Sequence, residues 1–120
     1  MSTDIKAFAQ SWIADWNGRH LGAILTHYAD EVVFRSPKIL IFTDGATDTL
    51  RGRSSLRPYF ARGLANRPAL LFELVSVCVD RTGVALTYTA EDGRTAIETM
   101  SLDAEGKVVE ARVFYDPPIE

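Results

Sequence analysis

The chain has 120 residues, 47% hydrophobic and 24% charged, a balance that supports one packed domain over residues 1–120 and excludes a disordered chain. Thirteen Lys and Arg against sixteen Asp and Glu give a net charge of −3, the reverse of the basic surplus that nucleic-acid binding uses. A single cysteine, Cys78, excludes an intrachain disulfide; with no apolar signal segment at the start and no apolar run of roughly 18 residues, the expected compartment is the cytoplasm.

Residues 4–17 predict a helix. Ile5, Phe8, Ala9, Trp12, Ile13 and Trp16 recur at helical spacing, Ser2 or Thr3 can cap the start, and Gly18 follows as a stop. Leu21, Ile24, Leu25 and Tyr28 predict a second helix over 21–28, with His20 at its cap. Residues 32–36 read as a short strand ended by Pro37. Residues 38–42 are apolar enough for a strand or a flap, and 43–48 are turn-rich. A third helix runs from Ser54 or Ser55 to about Asn66, with Pro58 in its first turn. Leu56, Tyr59, Phe60, Gly63 and Leu64 share its inner face.

Four strands follow, over 70–79, 84–90, 94–102 and 107–116. Turns rich in Asp, Glu and Gly join them into an antiparallel meander. The fold class is α+β, with the helices packed on one sheet face.

Side chains alternate along a strand, so the turns decide which residues share a face. A two-residue turn at Glu105-Gly106 sets Glu98 opposite Val113, Met100 opposite Ala111 and Ala96 opposite Tyr115. A turn at Asp92-Gly93 adds Ala85 and Thr87 to that face, and Cys78, Ser76, Leu74 and Phe72 extend it. The opposite face then holds Leu86, Tyr88, Ile97, Thr99, Phe114, Val75 and Val77, with Glu110 and Arg112. Two largely apolar faces need two covers. The helices supply one. A homodimer through Leu86, Tyr88, Ile97, Arg112 and Phe114 is the expectation for the other.

The element order and several strings resemble the nuclear transport factor 2-like superfamily, which includes ketosteroid isomerase, the polyketide cyclases and SnoaL-like domains. The strings are AQSWIADWN from Ala9, ILTHYAD from Ile24, VFRSP from Val33, RGRSSLRPYF from Arg51 and EGKVV from Glu105. The resemblance covers nearly all of residues 4–116. It implies a cone-shaped, curved antiparallel sheet wrapped around three helices, cystatin-like in outline, with a cavity between sheet and helices. It also maps the isomerase's three catalytic positions. Trp12 stands at the tyrosine, Ser36 at the basic aspartate and Glu98 at the late-strand acid. Serine is no base near neutral pH without an activating partner, so steroid isomerisation is not expected.

Glu98 is the candidate catalytic residue. Its neighbours are small or apolar, and a carboxyl in such a place holds its proton to higher pH. The alternative role is a structural carboxylate bonded to Trp12 or to a tyrosine. Trp12, Trp16, Phe34, Ser36, Tyr59, Phe60, Thr87, Met100, Val113 and Tyr115 are the candidate ligand-binding residues. Each has a plainer role as core or, for Ser36, as a strand-end turn. His27 lies off the helical stripe and reads as a surface residue. Arg51, Arg53, Arg57, Arg62 and Arg67 form an anion patch or, more simply, a solvated face. Cys78 reads as a small core residue.

The expected ligand is compact, mostly apolar and carries a carbonyl or hydroxyl oxygen. The chemistry would be isomerisation, cyclisation or dehydration through Glu98, with no cofactor, metal, nucleic acid or membrane. The alternatives are a non-catalytic ligand-sensing or dimeric assembly domain, and a protein-interaction module built on the arginine-rich helix.

Overall fold

A computed structural model describes residues 4–119. Helix α1 spans Ile5–Asn17 and is capped by Asp4, whose carboxylate accepts from the Ala7 amide at 3.1 Å. Ser2 and Thr3, the caps expected from the sequence, lie outside the described residues. The predicted stripe is the buried one: Phe8, Ala9, Trp12 and Trp16 face inward. Helix α2, Leu21–Thr26, is shorter than predicted. His20 takes its N-cap position without a side-chain bond. Tyr28 is not on that helix but opens strand β1, Tyr28–Arg35, where it is fully buried.

The segment expected as a strand or flap is helix α3, Pro37–Phe42. Two local signals set it. The Ser36 side chain accepts from the Lys38 amide at 3.3 Å, and Pro37 brings a helical φ to the first position. Only Ile39 of its apolar run is buried, while Leu40 and Ile41 face out. A short strand, β2 (Thr49–Arg51), was not foreseen and pairs with β1 at the sheet edge.

Helix α4 covers Arg53–Asn66 and starts from Gly52 rather than from Ser54 or Ser55. Pro58 therefore sits in the second turn, where it removes one helical hydrogen bond. Gly52 has φ 89° and ψ 140°, a conformation almost reserved for glycine. Its amide also bonds the Val32 carbonyl at 2.7 Å, which fixes α4 to β1. Gly52→Ala is expected to cost about 1–3 kcal/mol, read as a lower urea midpoint with an unchanged slope.

Strands β3 (Phe72–Val79), β4 (Gly83–Ala90), β5 (Thr95–Leu102) and β6 (Val108–Asp116) form the expected meander. The whole sheet is six-stranded, curved and open, in the order β2-β1-β6-β5-β4-β3. It is not wholly antiparallel, because β1 runs parallel to β6. Among the described residues there are four helices, not three, all before β3. Among the described residues no helix is long and apolar enough to cross a membrane.

The β5–β6 register is as predicted: Glu98 faces Val113, Met100 faces Ala111 and Ala96 faces Tyr115. The β4–β5 register differs by one residue. Glu91, Asp92 and Gly93 all belong to the turn, with Gly93 at φ 85°, so the loop has three residues rather than two. That one-residue change turns every β4 side chain over. Leu86 lies opposite Glu98 and Tyr88 opposite Ala96, both buried, while Ala85 and Thr87 face away from the helices. An irregularity between Leu74 and Ser76 splits β3 likewise. Phe72 and Leu74 stay on the inner face, whereas Ser76 and Cys78 turn outward and Val77 turns inward. Cys78 is exposed, not a core residue.

These shifts change the outer face. Leu86 and Tyr88 are 0% and 4% exposed and cannot contribute to a contact between subunits. Ile97 and Phe114 do face outward, with the Arg112 guanidinium 4.8 Å from the Phe114 ring centroid. Ser76, Cys78, Ala85 and Thr87 join this face in place of Val77, Leu86 and Tyr88, so it is less apolar than the sequence reading supposed.

Candidate functional site

A cavity of about 480 Å³ opens between the inner face of the sheet, α1, α3 and α4. Its walls are mainly aromatic. Trp12 and Trp16 come from α1, Phe34 from β1, Tyr59 and Phe60 from α4, Phe72 from β3 and Tyr115 from β6. The volume lies within the range of small-molecule sites.

Glu98 is on the wall and 3% exposed. Its Oε1 accepts a 2.9 Å hydrogen bond from the Tyr88 hydroxyl. Its Oε2 has no partner among the described residues. Burial raises its pKa to about 8, and the Tyr88 bond offsets only part of that. At neutral pH the carboxyl is therefore mostly protonated. Tyr88 donating to Oε1 leaves Oε2, which has no partner among the described residues, as the oxygen free to carry that proton. Tyr88 was expected on the far side of the sheet; the three-residue turn brings it here.

The other expected residues divide into three groups. Trp12, Trp16, Phe34, Tyr59, Phe60, Val113 and Tyr115 do line the cavity. Ser36 is fully buried and caps α3, and Met100 lies deeper in the core; neither lines the cavity. Thr87 faces the opposite side of the sheet.

Trp12 is only partly available to a ligand. Its Nε1–H donates to the buried Tyr28 hydroxyl at 3.0 Å, so that donor is committed. Trp16 is the reverse case, with a buried Nε1 that has no hydrogen-bond partner among the described residues. Tyr59 and Tyr115 hold their phenol protons firmly. Burial pushes Tyr59 up to about 12 and Tyr115 higher still, and the nearby Ser36 hydroxyl offsets little of this. Both are hydrogen-bonding groups at neutral pH, not bases.

The sequence reading gave Arg62 and Arg67 to an anion patch or solvated face and did not single out Lys38 or Arg94. Lys38 of α3, Arg62 and Arg67 of α4 and Arg94 of the β4–β5 turn all line the cavity. Arg67 makes a two-pronged bond to Glu91 at 2.7 and 2.9 Å, and Arg94 reaches Asp92 at 3.5 Å. The Arg67 bond holds the Glu91 carboxyl down at about 2. Lys38 is lowered to about 8, chiefly by burial and then by Arg67.

The remaining polar candidates lie elsewhere. His27 is half-buried, 2.6 Å from Asp15 and edge-on to Phe8, not a free surface histidine. Arg53 pairs with Asp30 at 2.6 Å in a separate cleft that Arg57 also lines.

A family model described as a SnoaL-like domain matches residues 9–114. A SnoaL-like protein of unknown function from Burkholderia thailandensis is 32% identical, with 94% of this chain and 96% of that chain covered and a TM-score of 0.87. A protein of unknown function with a cystatin-like fold from Methylobium petroleophilum is 15% identical, covers 96% and 77%, and has a TM-score of 0.76. The epoxide hydrolase/cyclase-like enzyme SalBIII, with a role in pyran ring formation in the polyether salinomycin, is 18% identical, covers 92% and 88%, and has a TM-score of 0.72. The last two show likeness of fold. No curated protein matches the chain.

Proposed function

The chain belongs to the SnoaL-like domain family, and from that premise we propose that it is a cofactor-independent isomerase, cyclase or lyase. Its substrate is a small, mostly apolar molecule with a carbonyl or hydroxyl oxygen. Glu98 is its acid–base residue. The observation that carries this reading is the unpartnered, buried Oε2 of Glu98 on the wall of an aromatic cavity.

The chemistry follows from that atom. A neutral carboxyl donates from Oε2 to a substrate oxygen and stabilises the negative charge that develops there. Tyr88 fixes the carboxyl's orientation by donating to Oε1. The aromatic walls keep water out, which strengthens the bond. Once the proton has moved to the substrate, the carboxylate can take one back from a neighbouring carbon or oxygen. The likeness in fold to SalBIII is in keeping with such a site. Steroid isomerisation is not supported: the Trp12 N–H is spent on Tyr28, and Ser36 is buried in a helix cap.

Wild type and Glu98→Gln are to be compared on a panel of cyclic enones, β-keto esters, epoxides and hydroxy-carbonyl compounds. Turnover in the wild type, lowered at least roughly 100-fold by Glu98→Gln, is the expected outcome. The wild-type rate should fall as pH rises through about 8, where the acid form is lost. Equal rates in the two proteins would remove Glu98 from the chemistry. No turnover on any class would leave a binding domain, not an enzyme.

A further inference from the structure

The cationic lining of the cavity carries more information about its ligand. The cavity runs from the buried Glu98 to an exposed end at Ile41, Arg62 and Asn66. Four cations line it, and two of them already have partners: Arg67 holds Glu91, and Arg94 holds Asp92. Lys38 and Arg62 have no carboxylate in hydrogen-bond or ion-pair range among the described residues. Each instead lies over a ring, Lys38 at 4.7 Å from the Tyr115 centroid and Arg62 at 4.8 Å from that of Phe42.

Neither Lys38 nor Arg62 donates a side-chain hydrogen bond among the described residues. The carboxylates that act on Lys38, Asp92 and Glu91, are already paired with Arg94 and Arg67, and a half-buried ammonium without its own counterion is a costly arrangement. Glu98, neutral at pH 7, does not relieve it. The cavity lining therefore carries an excess of positive charge beside one neutral acid.

We infer that the ligand is an organic carboxylate, its charged group drawn to the cations of the lining that have no carboxylate partner, Lys38 and Arg62, and its apolar body packed on the aromatic walls. This rests on the reading of the cavity as a small-molecule site. An ammonium and a planar guanidinium each suit a singly charged, two-oxygen group.

The test uses adamantane-1-carboxylate and 1-adamantanemethanol, a pair of similar shape that differ in charge. Trp12 and Trp16 are the chain's two tryptophans and both line the cavity, so their fluorescence reports occupancy. At pH 7 the carboxylate is expected to bind at least about tenfold tighter than the alcohol. Lys38→Met and Arg62→Met should each weaken carboxylate binding about fivefold or more and leave the alcohol within about twofold. Raised salt should weaken the carboxylate alone.

Equal binding of the two compounds overturns the inference and leaves the cavity reading in place. So does a carboxylate preference that survives both substitutions. Binding of neither compound overturns the cavity reading, and this inference with it.

Discussion

Glu98→Gln is expected to stabilise the protein by several kcal/mol at pH 9 and to change its stability little at pH 4. The Glu98 carboxyl has a folded pKa of about 8, against an ordinary value near 4.5 in the unfolded chain. Between those two values the folded protein holds a proton that the unfolded chain has released. Stability therefore falls as pH rises through that window. Below it, both states hold the proton and nothing is lost. Above it, the whole cost of the buried charge is present. A gap of roughly 3.5 pH units at about 1.4 kcal/mol each gives about 5 kcal/mol.

Glutamine has nearly the shape of the protonated acid and cannot ionise. Its carbonyl can accept from Tyr88 as Oε1 does. The difference between the two proteins also isolates this one group. Lys38, whose pKa is lowered to about 8, acts in the opposite direction: its folded form prefers to be neutral, so it costs stability at low pH and the cost is lost as pH rises from about 8 to 10.5. That contribution is common to wild type and variant and cancels. Urea unfolding of both at intervals from pH 4 to 9 gives the curve. A flat difference would mean that Glu98 ionises in the ordinary range, and the general-acid role would fall with it.

Most of the architecture was legible because its signals are local. The α1 stripe, the meander and the places of its turns follow from spacing and from glycine positions. The failures came from single residues whose effects propagate. Counting the β4–β5 turn as two residues placed Tyr88, the partner of Glu98, on the wrong side of the sheet. The β5–β6 register came out right although its turn is also longer than supposed. Leu102 pairs with Val108 across five residues, and an irregularity beside Leu102 then restores the expected alignment at Met100 and Glu98. Helix α3 was missed because its apolar run masked the Ser36-Pro37 start signal, which is stronger evidence than composition. The cationic lining was out of reach for another reason. Lys38, Arg62, Arg67 and Arg94 come from three separate segments, and only the tertiary fold collects them. The density of arginine over residues 51–67 was visible, but not its division between this cavity and the cleft of Arg53 and Arg57.

Trp12→Ala is expected to cost about 3–5 kcal/mol, a large part of the 5–15 kcal/mol typical of a domain. Trp12 is 1% exposed. Its ring centroid lies 5.6 Å from that of Tyr88 and 6.1 Å from those of Trp16 and Phe72. Alanine removes all three ring contacts and leaves the buried Tyr28 hydroxyl without its donor. Trp12→Phe should cost less, because it refills part of the volume and loses mainly the bond to Tyr28, worth about 1–3 kcal/mol when one buried partner is stranded. Tyr28→Phe strands the Trp12 N–H instead, and the double variant Trp12→Phe, Tyr28→Phe should cost less than the sum of the two singles. Urea midpoints of the four proteins give the coupling. The size of the alanine effect also decides what kind of wall the cavity has. A loss of several kcal/mol means that Trp12 is packed protein on which a ligand rests. A loss under about 1 kcal/mol would mean that the ring's inner side faces water, and that its contacts are completed only when a ligand is bound.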